Sequence, residues 1–272
     1  MNVKNAISAA SYAASSGMLI KCPYCGMKTI SLLDYCVCSW CEALIHKKTS
    51  DSQSSELSQA VTGINSNYLS KQYEASMAAC DTAFSISKSA WFIYLKGIIQ
   101  LSASNNETSM ISYDKPGFME ENAVHRERSS KLYADARLSL YKAISAAGKN
   151  SADSKALDTT YLQFIASIKL KDKPASKHYL DELSDIGNKF VVNYSKMLLF
   201  NINALYAESL SHAELLLSKS SFSTGALYYA AFSLFKMHKL KDAESLVSEA
   251  IKYISTPSIL ALREESENYG KV

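Results

Sequence analysis

Two C-x2-C pairs, Cys22/Cys25 and Cys38/Cys41, stand with twelve residues between them near the start of this 272-residue chain. No other feature restricts the fold so narrowly. Each pair turns tightly enough for both sulfurs to face one point, and two such turns supply the four soft ligands that tetrahedral Zn²⁺ favours. Pro23 and Gly26 suit the first turn, since a glycine after the second ligand can take positive φ and aim amide N–H groups at the thiolates. About 30 residues bury too little surface to fold unaided, so metal binding would supply the folding free energy. Five of the six cysteines fall in this stretch. Crowding of that kind does not resemble a disulfide framework, which spreads its staples over the fold, and it points to a reducing, cytoplasmic setting.

The flanks GMLIK and MKTISLL are short, apolar-rich and capable of strand. With the two cysteine pairs they make the segment 17–46 resemble a zinc ribbon, a small β domain gripped by one structural Zn²⁺ through Cys22, Cys25, Cys38 and Cys41. Two further donors are alternatives within that ligand set: Cys36, two residues before Cys38, and His46, five beyond Cys41. The spelling CPYC also belongs to glutaredoxins, where it opens a helix inside a βαβ fold with a later cis-proline loop. Here the next proline after Pro23 is Pro116 and no βαβ alternation follows, which favours metal over thiol–disulfide chemistry.

From residue 57 onward, after a polar linker over 47–56, the periodicity changes to helices of 12 to 18 residues with alanine and large apolar residues at helical spacing. Nine glycines and four prolines in the whole chain are too few for an all-β protein. The segment 226–257 places Leu227, Ala231 and Leu234 on one helix and Leu240, Ala243 and Ala250 on the next, with Pro257 where the second should have ended. This resembles a tetratricopeptide repeat, whose two antiparallel helices need small residues where they cross. A second copy has Gly97 on its first helix and Tyr133, Ala136 and Ala143 on its second. An extra stretch near 104–130 separates the two, and it is expected to loop out from one face. Residues 68–84 supply Tyr73, Ser76 and Ala83 in a weaker copy. Residues 157–187 and 189–218 read as two more helical pairs without the alanine spacing. The expected architecture is mostly α: a TPR-like solenoid over 57–272 behind a small N-terminal β zinc ribbon, with 1–16 as a preceding segment.

The Ala/Ser-rich start lacks the apolar centre of a secretory leader, and no stretch of about 18 apolar residues spans a bilayer. Most of the 17 tyrosines fall at helical spacing, as Tyr133, Tyr141, Tyr228 and Tyr229 do, and are expected to pack between repeats. Cys80 reads as a small buried residue.

No phosphate loop, H-E-x-x-H or G-x-S-x-G motif is present, and the five histidines stand singly. The expected function is therefore non-enzymatic, an adaptor whose solenoid groove holds a partner's peptide or helix with the ribbon as a second contact surface. Two alternatives compete. The formal excess of +3 lies in residues 1–50, so Lys21, Lys28, Lys47 and Lys48 could meet nucleic-acid phosphates, although a tetrathiolate zinc centre contributes minus two there. Cys36 beside the zinc could make a thiol redox switch.

Overall fold

The computed structural model describes the strand residues 19–21, 28–30, 35–37 and 44–46, then residues 55–111, 119–149, 156–186, 189–218, 224–251 and 263. Among them helices dominate, and the chain divides into two compact units, residues 50–172 and residues 1–49 with 173–272.

The first of these units holds α1 (Ser55–Leu69), α2 (Tyr73–Ser87), α3 (Ala90–Ser109), α4 (Met119–Lys149) and α5 (Ala156–Leu170). Each helix packs on the next, and α3 also touches α5. Neighbours in sequence therefore form antiparallel pairs, while the first helices of successive pairs adjoin, as in stacked helical hairpins. The core consists of Leu57, Val61, Ile64, Cys80, Ala83, Phe92, Ile99, Ala136, Leu140, Leu162 and Phe164, all nearly inaccessible. Gly97 sits where α3 meets α4: a Cβ there would stand 3.0 Å from Leu140 Cγ and 3.3 Å from the Ala136 carbonyl oxygen. Both approaches are tighter than most Cβ contacts in folded proteins, so a side chain there would push on Leu140 and glycine suits the crossing.

The other unit contains β1 (Leu19–Lys21) and β2 (Lys28–Ile30), paired antiparallel, and β3 (Tyr35–Val37) and β4 (Leu44–His46), likewise paired. It continues with α6 (Lys173–Ile186), α7 (Lys189–Ile202), α8 (Tyr206–Ser218), α9 (Thr224–Lys236) and α10 (Leu240–Ile251). Again each helix packs on its successor and α7 touches α9. Leu183, Val191, Met197, Ala213, Leu216, Ala226, Leu227, Ala230, Ala231, Ala243 and Val247 fill the interior.

One turn recurs through both units. Five helices end on a left-handed residue other than glycine; Lys88, at φ of 56°, closes with a bond four residues back to Phe84, and the other four, Lys71, Lys171, Ala204 and His238, have φ of 57 to 59° and share one turn. In each of these four, the left-handed residue donates its N–H three residues back and its successor donates five back, as in Lys71 to Tyr68 and Gln72 to Asn67, or Ala204 to Asn201 and Leu205 to Phe200. This is the Schellman motif, which satisfies the last carbonyls of the finished helix. The successor then accepts the first backbone bond of the following helix, Ser76 N to Gln72 O, Ser209 N to Leu205 O and Ala243 N to Lys239 O. A helix is thus stopped and another started within two residues. The turns at Lys171, Ala204 and His238 are 33 and 34 residues apart, a period that matches a repeated helical pair.

The stretch near 104–130 differs from its expected form. Helix α3 runs on to Ser109 and α4 begins at Met119, so most of the added residues lengthen the two helices rather than form a loop. Helix α4 has 31 residues, about 46 Å, well beyond the 12 to 18 that periodicity suggested. Tyr133 and Tyr141, expected to pack, are 48% and 46% exposed on it. Cys80 is buried as expected, and burial pushes its thiol up to about 12, with nearby Asp81 adding and Lys96 opposing.

Candidate metal centre and contact faces

The four cysteines expected to hold Zn²⁺, Cys22, Cys25, Cys38 and Cys41, lie outside the described residues. The strands that bracket them are described. Lys21 pairs with Lys28 at the end of the first hairpin, and Val37 pairs with Leu44 at the end of the second. Each pairing encloses a six-residue segment, 22–27 and 38–43, and the cysteines take its first and fourth places in both. Cys36 is the middle residue of β3, opposite Ile45, while His46 ends β4 opposite Tyr35. The first and fourth places of a short hairpin connection are therefore shared by the C-x2-C pairs alone, and neither Cys36 nor His46 has that position. Among the described residues no group of three His, Cys, Asp or Glu gathers as metal ligands.

A second feature lies on the first helices of the pairs. Tyr161, Tyr194 and Tyr228 each precede a left-handed turn residue by ten positions, so the repeat carries a tyrosine at one fixed place on α5, α7 and α9. Each is partly exposed. On α9, Tyr228 stacks on Phe232 with centroids 6.0 Å apart and meets Tyr229 edge-on at 5.2 Å. Phe232 also meets Tyr206 of α8 edge-on at 6.3 Å, and Lys236 lies 5.1 Å above its ring. Burial raises the Tyr229 hydroxyl, with Tyr194 and then Tyr228 contributing further, which places α7 and α9 tyrosines side by side. The Asn201 side-chain amide nitrogen on α7 is buried with no partner among the described residues. Helices α7 and α9 carry Lys189, Lys196 and Lys236 and no carboxylate, whereas α8 and α10 carry Glu208, Glu214, Asp242 and Glu244. Helices α7 and α9 are thus aromatic and cationic.

On the other side of Lys196, His212 of α8 stacks on Phe200 at 5.4 Å and contacts Asn193 Oδ1 through Nδ1 at 3.1 Å. Burial lowers its pKa, and the neighbouring Lys196 charge lowers it further.

The lengthened ends of α3 and α4 form the third feature. His125 Nδ1 contacts Glu107 Oε2 at 2.7 Å, both side chains being about four-fifths covered. One turn along, Ser104, Thr108 and Ser129 are bound to one another. Ser104 donates to the Ser129 carbonyl at 3.0 Å, Ser129 to the Ser104 carbonyl at 3.1 Å and Thr108 to the Ser104 carbonyl at 2.9 Å. A Glu–His pair beside a serine invites comparison with a catalytic triad, but His125 makes no hydrogen bond to Ser129, whose proton has a carbonyl acceptor. Beside the hydroxyls opens a cleft of about 420 Å³, bounded by Asn105, Ile111, Arg126, Ser130 and Tyr133. Neither the sequence periodicity nor any motif signals this cleft, because it depends on α3 and α4 both overrunning the repeat.

Comparison with family models, with curated proteins and with solved structures yields no match to this chain.

Proposed function

We propose that the protein is a non-enzymatic scaffold of tetratricopeptide-like hairpins, which holds a peptide or helix of a protein partner against its first helices and carries a structural Zn²⁺ ribbon at its N-terminal end. The observation that carries the first part is the tyrosine ten residues before the turns at Lys171, Ala204 and His238, two of the three (Tyr194 and Tyr228) standing on helices α7 and α9 that bear lysine and no carboxylate. Partly exposed aromatic side chains on rigid helices give large contact area at low entropic cost, the usual basis of peptide recognition in a groove. Support for the second part is that both C-x2-C pairs occupy, in sequence, the first and fourth positions between two antiparallel strands. The donor set fits: four thiols, no oxygen ligand, and strands on either side of each pair. Bound Zn²⁺ would cross-link the two connections and stabilise them without taking part in chemistry.

A photoreactive amino acid placed at Tyr194 or Tyr228 of the full chain tests the groove. It should capture one protein partner in cells, while the same group at exposed Asp181 on α6 should not. Equal capture from Asp181, or none from either tyrosine, removes the proposal. For the ribbon, elemental analysis of the purified chain should find one Zn²⁺, lost in Cys22→Ser and Cys38→Ser and retained in Cys36→Ser. Retention in all three variants would refute the assigned ligand set.

A further inference from the structure

We propose that the cleft between the lengthened ends of α3 and α4 is a docking site for an acidic, apolar-flanked segment of a protein partner, with Arg126 receiving its carboxylate. The site is distinct from the first-helix groove, and the inference stands without it.

Donor accounting at the cleft carries the argument. The hydroxyls of Ser104, Thr108 and Ser129 bond to one another and to the carbonyls of Ser104 and Ser129, so their protons are held within the cluster and tie the helices together. On the rim the situation is reversed: Asn105, Arg126, Ser130 and Tyr133 have no hydrogen-bond or ion-pair partner among the described residues. All four can donate, and Arg126 does so with a fixed cationic fork suited to a carboxylate.

Among the described residues no acid is paired with Arg126. Its neighbours one helical turn away are Asn122, Ala123, Ser129 and Ser130, and Glu107 on the facing helix is engaged by His125. Among the described residues no carboxylate lines the cleft. A rim of free donors with one unpaired cation selects an anion. The walls select what the anion is attached to, because Ile111, the Tyr133 ring and the Thr108 methyl make them largely apolar. The cleft is open on one side rather than enclosed, which suits side chains of a docked chain better than a small molecule that needs most of its surface covered. A glutamate or aspartate flanked by leucine or phenylalanine meets both requirements.

The test uses the full ¹⁵N-labelled chain and an N-acetylated, C-amidated peptide of sequence Gly-Leu-Glu-Phe-Glu-Gly. Titration should shift the amide signals of Asn105, Arg126 and Tyr133, with the effect weakened by added salt. Replacing both glutamates of the peptide by glutamine, or Arg126→Gln in the protein, should reduce apparent affinity about tenfold. Tyr133→Ala should weaken binding while leaving the salt dependence in place. The side chains of Arg126 and Tyr133 are exposed, so both variants keep the fold, which an unchanged spectrum elsewhere verifies. The proposal is overturned if the acidic and glutamine peptides bind alike, if shifts arise only on α7 and α9, or if octanoate shifts these residues and the peptide does not.

Discussion

The hydroxyl of Ser209 donates to the carbonyl oxygen of Met197 at 3.1 Å, from the first turn of α8 to the middle of α7. Ser76 does the same to Ile64 at 2.9 Å, again twelve residues back, from α2 to α1. Both serines are fully buried and both stand five residues after a left-handed turn residue. Ser176 and Ala243 occupy the equivalent places and are buried too. A small side chain at this point lets the second helix lie close enough to the first for Ile64 and Met197 to remain large on the facing side. Ser209→Ala removes a buried hydrogen bond but leaves the Met197 carbonyl within its own helix, so stability should fall by about 1 kcal/mol. Ser209→Leu forces the helices apart and should cost about 2 to 3 kcal/mol. Urea unfolding of the two variants measures the difference, and an equal loss in both would show that proximity is unimportant there.

Two helical glycines should respond in opposite ways to alanine. A Cβ at Gly63 meets Ala79 Cβ at 3.7 Å, an ordinary contact, while at Gly97 it meets Leu140 and the Ala136 carbonyl at 3.0 and 3.3 Å. Alanine gains about 1 kcal/mol of helix propensity at either place. At Gly63 nothing opposes that gain, and Gly63→Ala should raise stability by 0.5 to 1 kcal/mol. At Gly97 the new methyl presses on the fully buried Leu140, and an overpacking cost of about 1 to 3 kcal/mol should outweigh the gain. Thermal melts giving the same sign for both would contradict this packing.

His212 should make stability fall on mild acidification. Its pKa in the folded chain lies below the ordinary 6.5, first through burial and then through the Lys196 charge. The unfolded chain therefore takes up the proton more readily, and stability is lost as pH drops below about 6.5 towards the folded value. Asn193 faces the ring and does not titrate. An NMR pH titration should place the His212 midpoint below that of an unfolded peptide and move it upward in Lys196→Gln. A midpoint at or above 6.5 in the unaltered chain would remove the effect.

How far this architecture could be read from sequence depends on which physical signal each part uses. Helices announce themselves by apolar periodicity, and those expected over 157–187 and 189–218 emerge as α5, α6, α7 and α8 within a residue or two, with α7 and α8 packed as a pair. The loss of alanine spacing over 189–218 is misleading, because Ser209 satisfies the same steric need with a hydroxyl that hides among ordinary polar positions. The turns are less legible still. Their left-handed residues are lysine, alanine and histidine, so glycine, the usual marker, is missing. The cleft escapes for a different reason. It needs Asn105 on α3 and Arg126 and Tyr133 on α4 to be brought together by helices that overrun the repeat, and no local pattern encodes that overrun. The cysteine spacing, by contrast, is a local pattern, and in sequence both pairs fall at the same places between two paired strands.

The left-handed turn residues supply the last prediction. A side chain at φ near +57° sets Cβ against the following carbonyl at a cost of about 1 to 2 kcal/mol, whereas glycine carries no such cost but loses 0.5 to 1 kcal/mol more entropy on folding. At Ala204 φ is 59°, the residue is exposed, and its own contacts are the backbone bonds of the turn. Ala204→Gly should accordingly stabilise the chain by about 0.5 to 1 kcal/mol. His238→Gly should do the same, since that residue is exposed and holds the same turn at φ of 59°. Ala204→Val tests the steric origin directly, because a β-branched side chain is the worst occupant of this backbone conformation. It should destabilise by more than glycine stabilises, and a neutral valine would mean that the turn adopts a different φ in solution.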